Sequence, residues 1–439
     1  MAISEPDGKR AVQRLLARAL RPFTRVRPEE TATVALMTLC AFTLLCAYYL
    51  LKTVREPLVL LHGGAAMKLY LRAAQAGIMV VVVHAYGWLA RRVGRGRLLA
   101  IVFLFFISNL VAWTALARAG AAIALPFFLW VGVFSYTVVA QFWALAADIY
   151  SDEQGKRLFP IIGGGSSIGA VVGGLFAGRL VQFGPAMLMG TAVVMLLGCV
   201  AIILWIERKA AERSIVHVET DPEEPISDEN PWQLLARDRY LWLIACLVVF
   251  LNWVNSSGEY LLDRTVVAAA HGMTATDAQR FVGEFKANYF AWYNGIGLVL
   301  ELFVVSRVLR LVGVRRALLV MPVFALIAYG SAVFVPTLAV MRLVKIGENS
   351  LQYSLQDTTR NALFLVASRV EKFVGKTAID TIGVRLGAIM SASIVFLGTH
   401  LGWSTSTFAA LDAALAAVWL GFAFAIGHEH RKRTGKPRD

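Results

Sequence analysis

Residues 141–174, QFWALAADIYSDEQGKRLFPIIGGGSSIGAVVGG, read as an apolar helix ending in Asp148, a charged turn at Ser151–Arg157, and a second apolar helix laddered with glycine. Two membrane spans joined by a short hinge fit this pattern. In the second, Gly165, Gly169 and Gly173 recur every fourth residue, and Gly174 and Gly178 repeat the spacing one residue on. Such a face carries no side chains, so another helix can approach its backbone closely. Two readings stand side by side: plain helix packing, or a smooth seam along which helices slide or rock. GGGSSIG is not a phosphate loop, because the Gly-Lys-Ser/Thr ending that places a lysine and a metal-binding hydroxyl is missing.

Outward from this stretch the chain stays apolar. Of 439 residues, 58% are hydrophobic and 16% charged, with a mean hydropathy of +0.63, far from the balance of a water-soluble domain. Runs of about 20 apolar residues, enough to cross a hydrocarbon core of about 30 Å, fall near 32–52, 69–90, 98–117, 123–147, 158–180, 185–206, 241–262, 287–305, 316–335, 337–356, 378–400 and 404–427. The expected fold is an all-α membrane protein of about twelve transmembrane helices. It divides into a basic amphipathic segment (1–30), a six-helix bundle (31–206), a polar acidic linker (207–239), a second six-helix bundle (240–427) and a basic tail (428–439). Residues 1–30 lack the apolar core and cleavage site of a signal peptide.

The excess of 43 Lys+Arg over 29 Asp+Glu, a net +14, would suggest nucleic acid on a soluble protein. Here its location decides otherwise. Arg91, Arg92, Arg95, Arg97, Lys156, Arg157, Arg307, Arg310, Arg315, Arg316, Arg369 and Lys372 crowd into alternate loops, the signature of the cytoplasmic side. The expectation is a multi-pass protein of a bacterial inner membrane, with both termini cytoplasmic, the lipid bilayer as its surroundings, no nucleic-acid partner, and a monomeric state. Cys40, Cys46, Cys199 and Cys246 lie in apolar spans without metal-ligand partners at useful spacing. Neither a cofactor nor a metal is expected. No nucleophile-base-acid set is evident and the polar connectors are short, so an enzyme is not expected.

An internal repeat supports the count. RVGRGRLL at 92–99 returns as RLVGVRRALL at 310–319, and aligning Gly94 with Gly313 gives an offset of 219 residues. The hinge after the fourth span returns more loosely as QDTTRNALF at 356–364. Two six-helix pseudo-repeats with a site between them are the plan of the major facilitator superfamily, and GWLARRVGRGR is similar to that superfamily's loop motif, with Arg91 at its usual acidic position.

A charge at bilayer depth costs roughly 2.5–3.5 kcal/mol on the insertion scale, so each needs a reason. In the seventh span Asn252, Asn255, Ser256, Glu259 and Asp263 fall within one sector of a helix. In the tenth, Arg342, Lys345, Glu348, Asn349, Gln352 and Gln356 do the same. Either these stripes line a water-filled cavity, or a pair such as Lys345 with Glu348 merely stabilises the bundle. Lys52, Arg55 and Glu56 end the first span, where binding an anion competes with snorkelling to water. Asp148 ends the fourth, and Glu301, in the same stripe as Asn294, reads as a lone buried carboxylate.

FWALAADIYSDEQGKRLFPIIGGGSSIGAVVGG resembles the fourth-to-fifth-span signature of the ATP/ADP antiporter family. LLKTVREPLVL resembles its first-span ending, and DTTRNALF with GKTAIDTIGVRLG at 375–387 its tenth-to-eleventh-span signature. The resemblance covers most of the chain. It implies an alternating-access transporter of a small anionic solute such as ATP, ADP or another nucleotide. It carries the family's basic first-span position onto Arg55, where lysine is usual, and its acidic seventh-span position onto Glu259. Two positions depart: Val131 stands where the fourth span has an acid, and Ala388 where a lysine follows Leu386-Gly387. The expected substrate-binding set is Lys52, Arg55, Asn255, Glu259, Arg342, Lys345 and Asn349. The expected gating or coupling set is Asp148, Lys156, Arg157, Asp263, Glu301 and Glu348. Two alternatives stay open, a proton-coupled major-facilitator transporter of a non-nucleotide solute and a non-transporting membrane scaffold or sensor.

Overall fold

The computed structural model of the protein describes residues 27, 30–90, 92, 95–212, 231–368, 371 and 375–434. Apart from Arg27 and Glu30, the basic segment expected over 1–30 lies outside the described residues, as do 213–230 of the linker, Arg91, Arg369, Lys372 and 435–439 of the tail.

Among the described residues all regular structure is helical. A segment crossing lipid must satisfy its own backbone N–H and C=O groups, and a helix does so within one strand of chain. Nine helical runs among the described residues are long and apolar enough to span a bilayer. Two of them break inside: Thr31–Ala90 at Gly64 (φ 73°), and the run Ala275–Phe334 at Gly313 (φ 74°). Glycine reaches positive φ without a Cβ penalty, so one residue ends a helix and the next starts with no loop between. Each broken run supplies two spans. The polar helix Leu338–Leu351, continued by a π-turn at Gln352–Gln356 and by Asp357–Leu363, supplies another. The arrangement is compatible with two sets of six.

Two span boundaries differ from the hydropathy reading. No loop separates the first two spans, because the helix continues through Pro57 to Gly64 with Val54, Arg55, Glu56, Val59 and Leu60 buried. The eighth span begins at Ala275 rather than near 287, where Thr274 caps the helix by accepting from the Asp277 amide.

By packing, the chain forms two units that depart from the two halves of the sequence in two places. Of the described residues, unit 1 takes those within Met1–Glu56, Met79–His217 and Gly283–Ala291, and unit 2 those within Pro57–Ile78, Val218–Val282 and Trp292–Asp439. Each unit thus includes a short segment lent by the other sequence half.

In unit 1 the two glycine registers of Asp152–Leu180 serve two neighbours. A Cβ on Gly165 would stand 2.6 Å from Thr38, one on Gly173 2.8 Å from the Cys46 backbone, and one on Gly169 would overlap the Phe42 carbonyl, so the first span rests on this ladder. A Cβ on Gly174 would meet Ala291 N at 2.9 Å and one on Gly178 would meet Ala287 Cβ at 3.5 Å, both on the lent segment. The register shift of one residue turns the helix by about 100° toward its second partner. In unit 2 the helix Thr405–Thr434 packs against Ser306–Phe334 and Arg239–Ala269.

Candidate functional site: paired charges and a buried polar cluster

Each lent segment carries one buried lysine. In unit 2, Lys68 Nζ lies 2.7 Å from Asp263 Oδ2 and 3.3 Å from Glu259 Oε1, with all three side chains nearly inaccessible. In unit 1, Lys286 Nζ lies 3.8 Å from Glu56 Oε2, and Arg55 Nε lies 3.4 Å from Glu56 Oε1. The Arg55 guanidinium also sits 4.7 Å from the centre of the Phe128 ring, a favourable place for a cation. Lys52 is half-buried, its ammonium 4.3 Å from the Phe290 ring centre and 5.1 Å from that of Tyr49.

A second cluster lies within unit 2. Lys345 is fully buried and donates to Glu348 Oε2 at 2.7 Å and to the Asn255 carbonyl at 3.1 Å. The Tyr329 hydroxyl donates to the same Glu348 oxygen at 2.5 Å. Asn255 Nδ2 donates to Asn349 Oδ1 at 2.9 Å and to Gln352 Oε1 at 2.7 Å. The seventh and tenth spans therefore meet through their polar stripes. Of the two readings the sequence leaves open for Lys345 and Glu348, this geometry is that of the internal ion pair.

Polar caps close the helix ends. Ser151 and Gln154 form a reciprocal capping box at the start of Asp152–Leu180. Gln154 and Arg157 both reach Glu30, Arg157 Nη2 at 2.9 Å and Gln154 Nε2 at 3.1 Å from Oε1. Burial pushes the Glu30 carboxyl up, but hydrogen bonds from Arg157, the Arg27 amide and Gln154 outweigh it and hold the group below its ordinary value. In unit 2 Asp238 caps Arg239–Ala269 through the Tyr240 and Leu241 amides and pairs with Arg433, which also reaches Glu371. Burial raises the Asp238 carboxyl, and the Arg433 guanidinium and the Leu241 amide bring it below the ordinary carboxylate range.

Other expected residues are placed differently. Glu301 is exposed on the π-turn Leu300–Val305, so it is not the buried carboxylate its stripe suggests. A shared helical stripe shows that Asn294 and Glu301 lie on one face, not that the face is buried at Glu301. Asn252 folds back onto the Val248 carbonyl at 2.8 Å. Arg342 is half-buried, and Asp148 and Lys156 are exposed at the hinge. Val131 is fully buried and Ala388 half-buried.

Sequence reasoning misses Lys68, Lys286, Glu30 and Tyr329. A signal for the first two exists in the repeat: Lys68 and Lys286 are 218 residues apart, one short of the glycine offset of 219. Their partners Glu56 and Asp263 lie 207 residues apart, so the carboxylates do not share that offset.

Several known proteins share this architecture. The nucleoside transporter NupG superposes with a TM-score of 0.62 at 11% identity, covering 92% of this chain and 99% of that one. A bacterial homolog of the human lysosomal transporter Spinster gives 0.61 at 14%, covering 94% and 100%. In sequence, ADP,ATP carrier protein 1 of Chlamydia pneumoniae is 23% identical over 327 residues, 64% of this chain and 62% of that protein. ADP,ATP carrier protein 5 of Rickettsia bellii (strain RML369-C) is 22% identical over 351 residues, 68% and 66%. The chain thus spans somewhat less than two thirds of these curated relatives. Residues 73–363 match the Major Facilitator Superfamily model; with the glycine-broken helical runs and the internal repeat, this establishes that the chain belongs to the Major Facilitator Superfamily.

Proposed function

We propose that the protein is an alternating-access transporter of a bacterial inner membrane, with both termini cytoplasmic, that exchanges a small anionic solute, first of all a nucleotide such as ATP or ADP. The observation that carries this reading is the matched pair of buried lysine–carboxylate contacts, Lys68 with Asp263 and Glu259, and Lys286 with Glu56, each made by a segment lent from the other half of the sequence. Alternating access needs contacts of this kind, made in one state and broken in the other. The two lysines lie within one residue of the repeat offset, so each half of the sequence supplies one such contact.

In this reading Lys52, Arg55 and Arg342 attract the anion, with Asn255 and Asn349 as hydrogen-bonding groups. Lys345, held by Glu348, positions the Asn255 backbone rather than meeting the solute directly. Glu259 and Asp263 with Lys68 form one gate contact. Arg157 with Glu30, beside Asp148 and Lys156, latches the hinge. The curated relatives named as ADP,ATP carriers support the nucleotide, and the chain acts as a monomer in lipid.

Liposomes containing the purified chain and loaded with ADP should take up labelled external ATP, and empty liposomes should not. Equal uptake with and without internal nucleotide argues against exchange. No uptake of any nucleotide at any loading removes the nucleotide form.

A further inference from the structure

One buried acid takes no part in the contacts above. Asp412 lies on Thr405–Thr434 with its side chain fully buried, and among the described residues neither carboxyl oxygen has a hydrogen-bond partner at normal distance and angle. It faces Ser257 on Arg239–Ala269, whose buried hydroxyl is close enough to act on the carboxyl, and the Lys345–Glu348 pair on Leu338–Leu351. Tyr329, on Ser306–Phe334, completes the group through its hydrogen bond to Glu348.

The charge balance of this cluster is decisive. It holds one ammonium and two carboxyl groups, with Lys345 at 0% and Glu348 at 1% side-chain exposure. Were both carboxyls ionised, one uncompensated negative charge would remain out of reach of water, the most costly arrangement for a buried group. One of them therefore holds a proton. Glu348 receives two strong donors on a single oxygen, Lys345 Nζ and Tyr329 Oη, whereas Asp412 has only the Ser257 hydroxyl beside it.

We propose that Asp412 is a proton-binding site, neutral while Lys345 is committed to Glu348, whose loading and discharge accompany the transport cycle. Loading forms an O–H bond between a solvent proton and the Asp412 carboxylate. Discharge breaks that bond and returns the proton to solvent once water reaches the group. The coupling to the cycle rests on the transport reading above, whereas the site itself does not.

Infrared spectroscopy of the full chain in lipid at neutral pH tests the site without any substrate. The expected result is a carbonyl band of a protonated carboxylic acid that shifts when the wild type is grown on isotope-labelled aspartate and is lost in Asp412→Asn. The labelled wild type keeps the test informative should the variant fail to fold. Absence of the band, indifference to the aspartate label, or survival of the band in a folded Asp412→Asn overturns the proposal.

Coupling is read from uptake of labelled ATP against external pH. Asp412→Asn, fixed in the neutral form, should lose the pH dependence of the wild type. A flat wild-type profile, or identical profiles, overturns the coupling. A label-shifted band together with no wild-type uptake leaves the proton site standing and removes the transport reading instead.

Discussion

Lys68 Nζ lies 2.7 Å from Asp263 Oδ2, and neither side chain is more than 2% exposed. Such a pair contributes modestly to stability when intact, yet stranding one partner is expensive. Lys68→Met leaves Glu259 and Asp263 without their shared cation and should destabilise the fold by about 3–5 kcal/mol. Adding Asp263→Asn removes one stranded charge, so the double variant should lose less than the sum of the single losses. Thermal unfolding in detergent reads this directly, and strictly additive losses would show that the contact carries no coupling.

The corresponding contact in unit 1, Lys286 with Glu56 at 3.8 Å, predicts a charge-exchange result. Lys286→Glu and Glu56→Lys should each abolish uptake, by juxtaposing like charges in a buried place. The two together restore opposite signs and should recover part of it. Failure of the double variant to exceed either single variant, at equal folded yield, would rule out a functional pairing.

The glycine ladder makes a packing prediction with an internal control. On Asp152–Leu180 a Cβ at Gly169 would overlap the Phe42 carbonyl, whereas one at Gly164 would meet nothing within 4 Å. Gly169→Ala should cost about 1–3 kcal/mol, the range of overpacked cores. Gly164→Ala should be neutral or slightly stabilising, since alanine favours helix over glycine. Equal thermal midpoints for the two variants would mean that the first and fifth spans do not touch as described.

The hinge latch predicts a pH dependence. Glu30 in the folded protein lies below its ordinary value, because its hydrogen bonds from Arg157, the Arg27 amide and Gln154 outweigh burial. A lowered carboxylate contributes stability that is complete above its unfolded value and is lost as pH falls through the folded one. The thermal midpoint of the wild type should therefore exceed that of Glu30→Gln at neutral pH, with the gap closing on acidification below the ordinary carboxylate range. A gap that stays constant into acid would assign the contact no ionic character.

Much of this was legible in the sequence, and the rest for physical reasons was not. Hydropathy locates the spans because each must be apolar over a bilayer's thickness, and the 219-residue offset relates the halves. The stripe containing Asn255, Glu259 and Asp263 is visible because it lies on one helix with a known period. Lys68 was hidden: one lysine in AAMKLYLR reads as a span end, and its partners stand 191 and 195 residues further on. Asp412 was hidden likewise, alone in TFAALDAALAA with no polar neighbour at helical spacing. Its surroundings come from spans seven, nine and ten, and only the fold assembles them. Glu301 was misread because its spacing from Asn294 tells which residues share a face and not whether that face is buried.

In the proposed cycle the Lys68 contact opens and closes. Ala65 lies one helical turn before Lys68, is 8% exposed, and lines the same site as Glu259 and Asp263. The measurement is the rate at which a membrane-impermeant maleimide labels Ala65→Cys in a background whose native cysteines do not react. Labelling should be slow at rest and rise several-fold both when nucleotide is supplied and when Lys68→Met is added. An identical rate in all three conditions would show that this contact is permanent, and a permanent contact cannot be a gate.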